Sequence, residues 1–499
     1  MEPTTLYRPA SAWVGDVIPF FRDGAFWLYY LHDTRPAAGE PVGTDWYLVR
    51  TTDFVSFEAL GCSLPHGTAD DADLHCYTGC VIEAEDGFHL FYTGFNPAIV
   101  DDVDGLPMQA VLHAVGTDLR TWTKVPGDTF YAPRGIYDRH DWRDPFVFRL
   151  DDGRWGMLLA TRRPGPQTRR GGCVGLMVSD DLHTWEAAPP FWAPGLWMTH
   201  ECPDLFRIGD WWYLVTSEFT DRYTTRYRMS RSLDGPGIAA PEDSLDGRAN
   251  YALKTATDGT RTFAFGWLAT REGETDDGPW QWAGSLVTHE LVQQPDGRLA
   301  VALPATVRAA FCGPARFDLE PLSGGWTHDG TTASVDASGT YAAALGPRID
   351  RPSLVSADIA FEPGTRACGL LLANADDPEQ GYIVRLEPHH HRLVFDRWPR
   401  RQPGPAQWQI GGEIAHVVEL ERHIDLDPGR AHHLEVIVDG SALIAYLDGQ
   451  VALSTRIYGQ DTRRCGWFVS EGAGTFSAIA IRSLPEESPS TVSTSGDTQ

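Results

Sequence analysis

The sequence predicts an all-β chain, a five-bladed β-propeller followed by a C-terminal β-sandwich. Three observations predict it. The 499 residues include 50 glycines and 35 prolines beside many aromatic and β-branched residues, a composition that favours short strands and tight turns. No stretch sustains a 3.6-residue apolar period. Within the first 300 residues a turn dipeptide followed by an aromatic strand recurs five times, at roughly 50 to 65 residues, a period that suits propeller blades rather than a solenoid.

The units run in order. Asp23-Gly24 leads into Ala25 to Leu31, Asp86-Gly87 into Phe88 to Gly94, and Asp152-Gly153 into Arg154 to Thr161. Gly209-Asp210 leads into Trp211 to Ser217, and Asp258-Gly259 into Thr260 to Trp267. A second signature follows three of them, at Thr52 to Phe57, Thr117 to Trp122 and Asp180 to Trp185. Its Asp suits a turn and its final aromatic suits packing between blades.

In a propeller blade the strand before the first hairpin is the innermost. Asp16, Asp144 and Glu201 each precede their unit's turn dipeptide by a similar short interval, so three blades bring a carboxylate to one depth near the axis. The second unit holds Tyr77-Thr78-Gly79 there, and in the fourth Glu201 is followed by Pro203 and a further acid, Asp204. Like charges converging in a cleft cost folding energy through desolvation and repulsion, which makes the cluster a candidate site. Two carboxyl groups suit glycoside cleavage, one attacking or supporting the anomeric carbon and one protonating the departing oxygen.

After residue 305 the character changes. Alternation in Ser353 to Phe361, Gly369 to Leu372, Tyr382 to Leu386 and Leu434 to Val438, with hairpin signals at Asp439-Gly440 and Asp448-Gly449, reads as a sandwich. The expected divisions are a catalytic propeller over 1–305, a linker over 306–320, a sandwich over 321–485 and a disordered Ser/Thr-rich tail over 486–499.

A formal charge of −27 argues against nucleic acid or an anionic membrane surface and favours a neutral oligosaccharide. The eight cysteines lack the dense spacing of a secreted disulfide framework, and the first residues lack a basic and an apolar signal region, so a cytoplasmic location is expected. His75, Cys76 and Cys80 have no second half with ligand spacing, and His389-His390-His391 reads as a solvated turn. No metal or cofactor is expected.

Trp142-Arg143-Asp144-Pro145-Phe146 and Glu201-Cys202-Pro203-Asp204-Leu205-Phe206 resemble the Arg-Asp-Pro and Glu-Cys motifs of glycoside hydrolase family 32, the invertases, inulinases and levanases. Tyr77-Thr78-Gly79, Trp282-Ala283-Gly284 and Asp296-Gly297-Arg298-Leu299 are weaker matches. The resemblance implies Asp16 as nucleophile, Glu201 as general acid and then base, and Asp144 as the residue that grips ring hydroxyls and stabilises the transition state. Arg143 would hold Asp144 ionised. Thr78 joins Arg143 in the expected substrate-binding set, with Trp282 and Trp46 in family-like contexts and Trp13 in the first motif as stacking candidates.

The expected activity is cleavage of β-fructofuranosyl linkages in fructose-containing oligosaccharides by a retaining double displacement. The alternatives are a fructosyltransferase or fructan-cyclising enzyme, and an inactive sugar-binding protein on the same scaffold. Three departures bear on substrate orientation, the first being that a Gln expected after the first aromatic strand is replaced in the region of Leu31-His32-Asp33. Trp13-Val14-Gly15-Asp16-Val17-Ile18-Pro19 stands where the family usually has Trp-Met-Asn-Asp-Pro-Asn-Gly, and His289 stands where an Arg is expected.

Overall fold

A computed structural model describes residues 4–36, 43–165, 168–234, 237–313, 318–374, 377, 380–397, 418–459 and 463–485. The tail expected to be disordered, 486–499, lies outside the described residues. The chain is almost wholly β. Its N-terminal part forms five antiparallel blades, each beginning with an inner strand: Trp13–Arg22, His75–Ala84, Trp142–Arg149, Glu201–Ile208 and Asn250–Thr257. Each inner strand touches the inner strands of the blades on either side, closing a ring.

The turn dipeptides are the first hairpins of the blades, as expected. Asp23 and Gly24 both take positive φ, which permits the tight reversal between Trp13–Arg22 and Ala25–Asp33. In the second signature the Asp side chains fasten the same turn in three blades. Asp53 Oδ1 accepts from the Val55 and Ser56 amides, Asp118 Oδ1 from Arg120 and Thr121, and Asp181 Oδ1 from His183 and Thr184. The aromatics that end it reach across blades, Trp122 to Tyr29 and Trp185 to Phe91, with ring centroids 6.1 and 5.6 Å apart. The propeller closes where Val14 of the first inner strand pairs with Gly284 of the fifth blade, and where the Leu286 amide donates to the Tyr7 carbonyl.

A short helix, Ala305–Ala310, follows the last propeller strand, Leu299–Ala302. The C-terminal domain is a β-sandwich. Its long last strand, Arg463–Ser483, pairs through its first half with Ala367–Asn374 and through its second with Ser353–Phe361, so one strand serves both layers. His389 and His390 lie in a one-turn connection, Pro388–His390, between the paired strands Gly381–Glu387 and Arg392–Arg397.

The two domains are joined by buried polar contacts. Asp246 lies between the fourth and fifth blades and accepts from the Ser454 amide at 2.9 Å and the Ser454 hydroxyl at 2.5 Å. His289 bridges Asp246 and Tyr446, at 2.9 Å to each. Arg456 of the sandwich donates to the Leu268 carbonyl and the Ser285 hydroxyl at 3.0 and 2.8 Å. His289, expected to replace a substrate-orienting Arg, therefore belongs to the domain junction. Its ring is wholly buried there, and it is not among the residues lining the central cleft.

Candidate active site

Each of the five inner strands carries a register shift against its hairpin partner at the same height: Val14 to Val17, Tyr77 to Gly79, Arg143 to Phe146, Glu201 to Asp204 and Tyr251 to Lys254. A bulge frees a residue from the ladder and re-aims its side chain. Asp16, Thr78, Asp144, Cys202 and Ala252 lie within these five irregularities, and the last three take φ of 58°, 48° and 54°. This repeated bulge turns five strand positions into a ring at the axis.

The ring is knit by hydrogen bonds. Thr78 Oγ1 donates to Asp16 Oδ2 at 2.5 Å, and Trp267 Nε1 donates to Asp16 Oδ1 at 2.8 Å. The Cys202 amide donates to Asp144 Oδ2 at 2.9 Å, and its thiol lies 3.7 Å from Asp16 Oδ2. The Asp144 amide donates to Thr93 Oγ1 at 2.7 Å. Glu201, one residue before its bulge, is held at both oxygens, by Arg143 Nη2 at 3.0 Å and by the Tyr251 hydroxyl at 2.7 Å.

Arg143 is the electrostatic hub. Besides Glu201 it reaches Asp141 Oδ1 at 2.6 Å and lies 3.9 Å from Asp144 Oδ2. Burial alone would pull its pKa down, but Glu201, Asp144 and Asp141 more than reverse this and the pKa is raised. All three ring carboxyls are pushed upward by desolvation. For Asp16 the Thr78 and Trp267 bonds oppose the rise, for Asp144 Arg143 does, and for Glu201 Arg143 and Tyr251 do.

These groups line a cleft of about 540 Å³ whose walls also include His32, Tyr77, Gln109, Phe219, Tyr223 and Trp282. Of the residues singled out in the sequence, Asp16, Asp144, Glu201, Arg143, Thr78 and Trp282 all line this cleft. The Trp282 indole stands edge-on to Trp267 at 5.8 Å and Trp282 is 40% exposed.

Two expected stackers lie elsewhere. Trp46 has no exposed surface: it packs between Tyr29 and Tyr92 and donates Nε1–H to the Tyr77 carbonyl at 3.1 Å, so it braces the cleft wall from behind. Trp13 has its ring covered by the Arg35 guanidinium at 4.0 Å, and Arg35 in turn donates to the Trp282 carbonyl at 3.0 Å. Neither lines the cleft.

Tyr251, Trp267 and Gln109 escaped the sequence reading. Tyr251 had a usable signal, since it occupies the place in the fifth unit that Glu201 occupies in the fourth. It stacks on Tyr223 at 4.2 Å, which fixes the ring that holds Glu201.

Comparison with known proteins identifies the family and the fold. The family model described as Glycosyl hydrolases family 32 N-terminal domain matches residues 7–300, and that described as Glycosyl hydrolases family 32 C terminal matches residues 325–483. The chain is 26% identical over 493 residues to raffinose invertase of Escherichia coli, covering 93% of this chain and 91% of that protein. It is 29% identical over 254 residues to sucrose-6-phosphate hydrolase of Bacillus subtilis (strain 168), covering 44% of this chain and 50% of that protein. Among solved structures, exo-inulinase from Aspergillus awamori superposes with a TM-score of 0.71 at 14% identity, covering 97% of this chain and 98% of that one. Sucrose-6-phosphate hydrolase from Lactobacillus gasseri gives 0.71 at 19% identity, covering 97% and 93%. At such identities the superpositions establish the fold.

Proposed function

We propose, from the premise that this chain belongs to glycosyl hydrolase family 32 and is a glycosidase, that it hydrolyses β-fructofuranosyl linkages of neutral oligosaccharides by a retaining double displacement. The observation that carries the reading is that two buried carboxyl groups, Asp16 and Glu201, line one cleft, each held at both oxygens and each with its pKa raised by desolvation. Asp16 accepts from Trp267, which can only donate, and from the Thr78 hydroxyl, bonds that favour its ionised form against the burial that raises its pKa. That suits a nucleophile on the anomeric carbon. Glu201 has a raised pKa from burial, which suits a proton donor to the leaving oxygen. Once the leaving group departs, the same carboxylate takes a proton from the water that releases fructose from Asp16. Asp144, oriented by the Cys202 amide, accepts from sugar hydroxyls, and Trp282 offers its indole to the ring.

The lining also supports an uncharged substrate. Among the described residues it carries one guanidinium, Arg143, already engaged by Glu201 and Asp141, while burial lowers the pKa of His32 and His75 so that neither offers a standing charge to a phosphate. The test is a product profile with sucrose, kestose, inulin and levan oligosaccharides, with Glu201→Gln as control and the first-formed anomer followed by NMR. Free β-fructose lost in the variant is expected. First release of the α anomer would overturn the double displacement, and difructose anhydrides or longer products would replace hydrolysis by transfer.

A further inference from the structure

We propose that His113, His183 and Asp128 bind a divalent transition-metal cation of the zinc class that ties the second blade to the third. The argument is a count of hydrogens. Three contacts run in line through the second blade: Asp86 Oδ1 to His89 Nε2 at 2.9 Å, His89 Nδ1 to His113 Nε2 at 2.9 Å, and His113 Nδ1 to Asp128 Oδ2 at 2.7 Å. Both ends are carboxylates, which only accept, so each contact needs one hydrogen on a ring nitrogen. Two neutral imidazoles supply two hydrogens for three contacts. One lone pair is then left facing another.

His89 and His113 are 1% and 2% exposed, so bulk water does not reach the unmatched pair. A metal ion at the Asp128 end balances the line. His113 Nδ1 and the Asp128 carboxylate turn their lone pairs to the cation, His113 Nε2–H donates to His89 Nδ1, and His89 Nε2–H donates to Asp86. Every contact is then satisfied by neutral rings. This is also the arrangement that orients metal-bound imidazoles in general, with the second nitrogen donating to a partner that fixes tautomer and angle.

A third ligand is in place. His183 Nδ1 lies 2.7 Å from the same Asp128 Oδ2, and the three ligand atoms lie within 4.8 Å of one another. Each is delivered by a stiff element: His113 by the strand Pro107–Gly116, with its ring flat on Phe91 at 4.3 Å, Asp128 by the turn Pro126–Asp128, and His183 by the Asp181-capped turn of the third blade. Two imidazole nitrogens and one carboxylate oxygen select zinc, cobalt or nickel over calcium or magnesium, which want more oxygens. His183 is half-exposed, leaving the fourth position to water.

The experiment uses the full chain, stripped with chelator and titrated with cobalt(II). One equivalent giving the visible bands of a tetrahedral site, without sulfur-to-cobalt charge transfer, is expected, and zinc should displace it and raise Tm by a few degrees. His183→Ala and Asp128→Asn should lose that equivalent and the zinc-dependent rise, and His389→Ala, at an exposed surface histidine, should keep both. If His183→Ala were misfolded, His183→Gln would serve. The proposal is overturned if the wild-type chain shows no tetrahedral cobalt spectrum, or if folded His183 variants bind as the wild type does.

Discussion

Gly15 lies directly beneath the indole of Trp282: a β-carbon at residue 15 would come within 2.3 Å of Trp282 Cη2. The absent side chain in the first motif is thus the space that the Trp282 indole occupies. Gly15→Ala should push the indole out of position and raise KM roughly tenfold with a smaller change in kcat, the signature of lost ground-state and transition-state binding together. Steady-state kinetics on sucrose, beside Trp282→Ala, will decide it; an unchanged KM in both variants would remove Trp282 from substrate binding.

The two anchored carboxyls should separate in their response to the leaving group. Glu201→Gln should lower kcat by about 10² to 10⁴ for an ordinary sugar leaving group and far less for an activated aryl fructoside, since only the former needs protonation. Asp16→Asn should abolish turnover for both. Equal losses in the two substrates for Glu201→Gln would take the acid role from Glu201.

A bell-shaped pH profile follows from the same pair. Activity should fall at low pH as Asp16 gains a proton, and at high pH as Glu201 loses one, with both limbs displaced upward by burial. The Tyr251 hydroxyl favours ionised Glu201, so Tyr251→Phe should move the alkaline limb to higher pH. A limb that moves down, or stays, would mean another group carries the proton.

Phosphorylated sugar should be a poor substrate. With Arg143 already paired inside the cleft, sucrose 6-phosphate should show a kcat/KM at least about tenfold below that of sucrose, the discrimination a few unpaired charge contacts can give. Competition assays measure the ratio directly, and a preference for the phosphorylated sugar would overturn the neutral-substrate reading.

At the domain junction Asp246 has its pKa pulled down from 3.8 to about 2: burial pushes it up, but His289, Arg422 and Ser454 outweigh burial. A depressed carboxyl stabilises the fold fully above its ordinary pKa and loses that contribution as pH falls through the depressed value, here on the order of 2 kcal/mol. Asp246→Asn should lower Tm near neutrality and flatten the acid limb of a Tm-versus-pH curve. An unchanged curve would show that the junction does not depend on this charge.

Much of the site was legible because propeller units repeat. Asp16, Asp144 and Glu201 could be aligned by their distance from a turn dipeptide, and Arg143 came with Asp144. What was illegible depends on register. A one-residue bulge leaves no mark in an alternating pattern, yet it decides that Cys202 faces the axis. Trp46 and Trp282 both sit in aromatic surroundings, and only strand pairing tells that one is sealed between blades while the other borders open space. His289 resembled a substituted substrate contact because its partners, Asp246 and Tyr446, lie 43 and 157 residues away.

The junction also sets an order on synthesis. Asp246 leaves the ribosome 208 residues before Ser454, the residue whose amide and hydroxyl both bind its carboxylate. At about 5 to 20 residues per second the growing propeller waits roughly 10 to 40 s with that acid unsheltered at its rim. Completion of the propeller is therefore timed by the arrival of the C-terminal half, and a message truncated after the fifth blade would release a ring with one edge still open to water and to other chains.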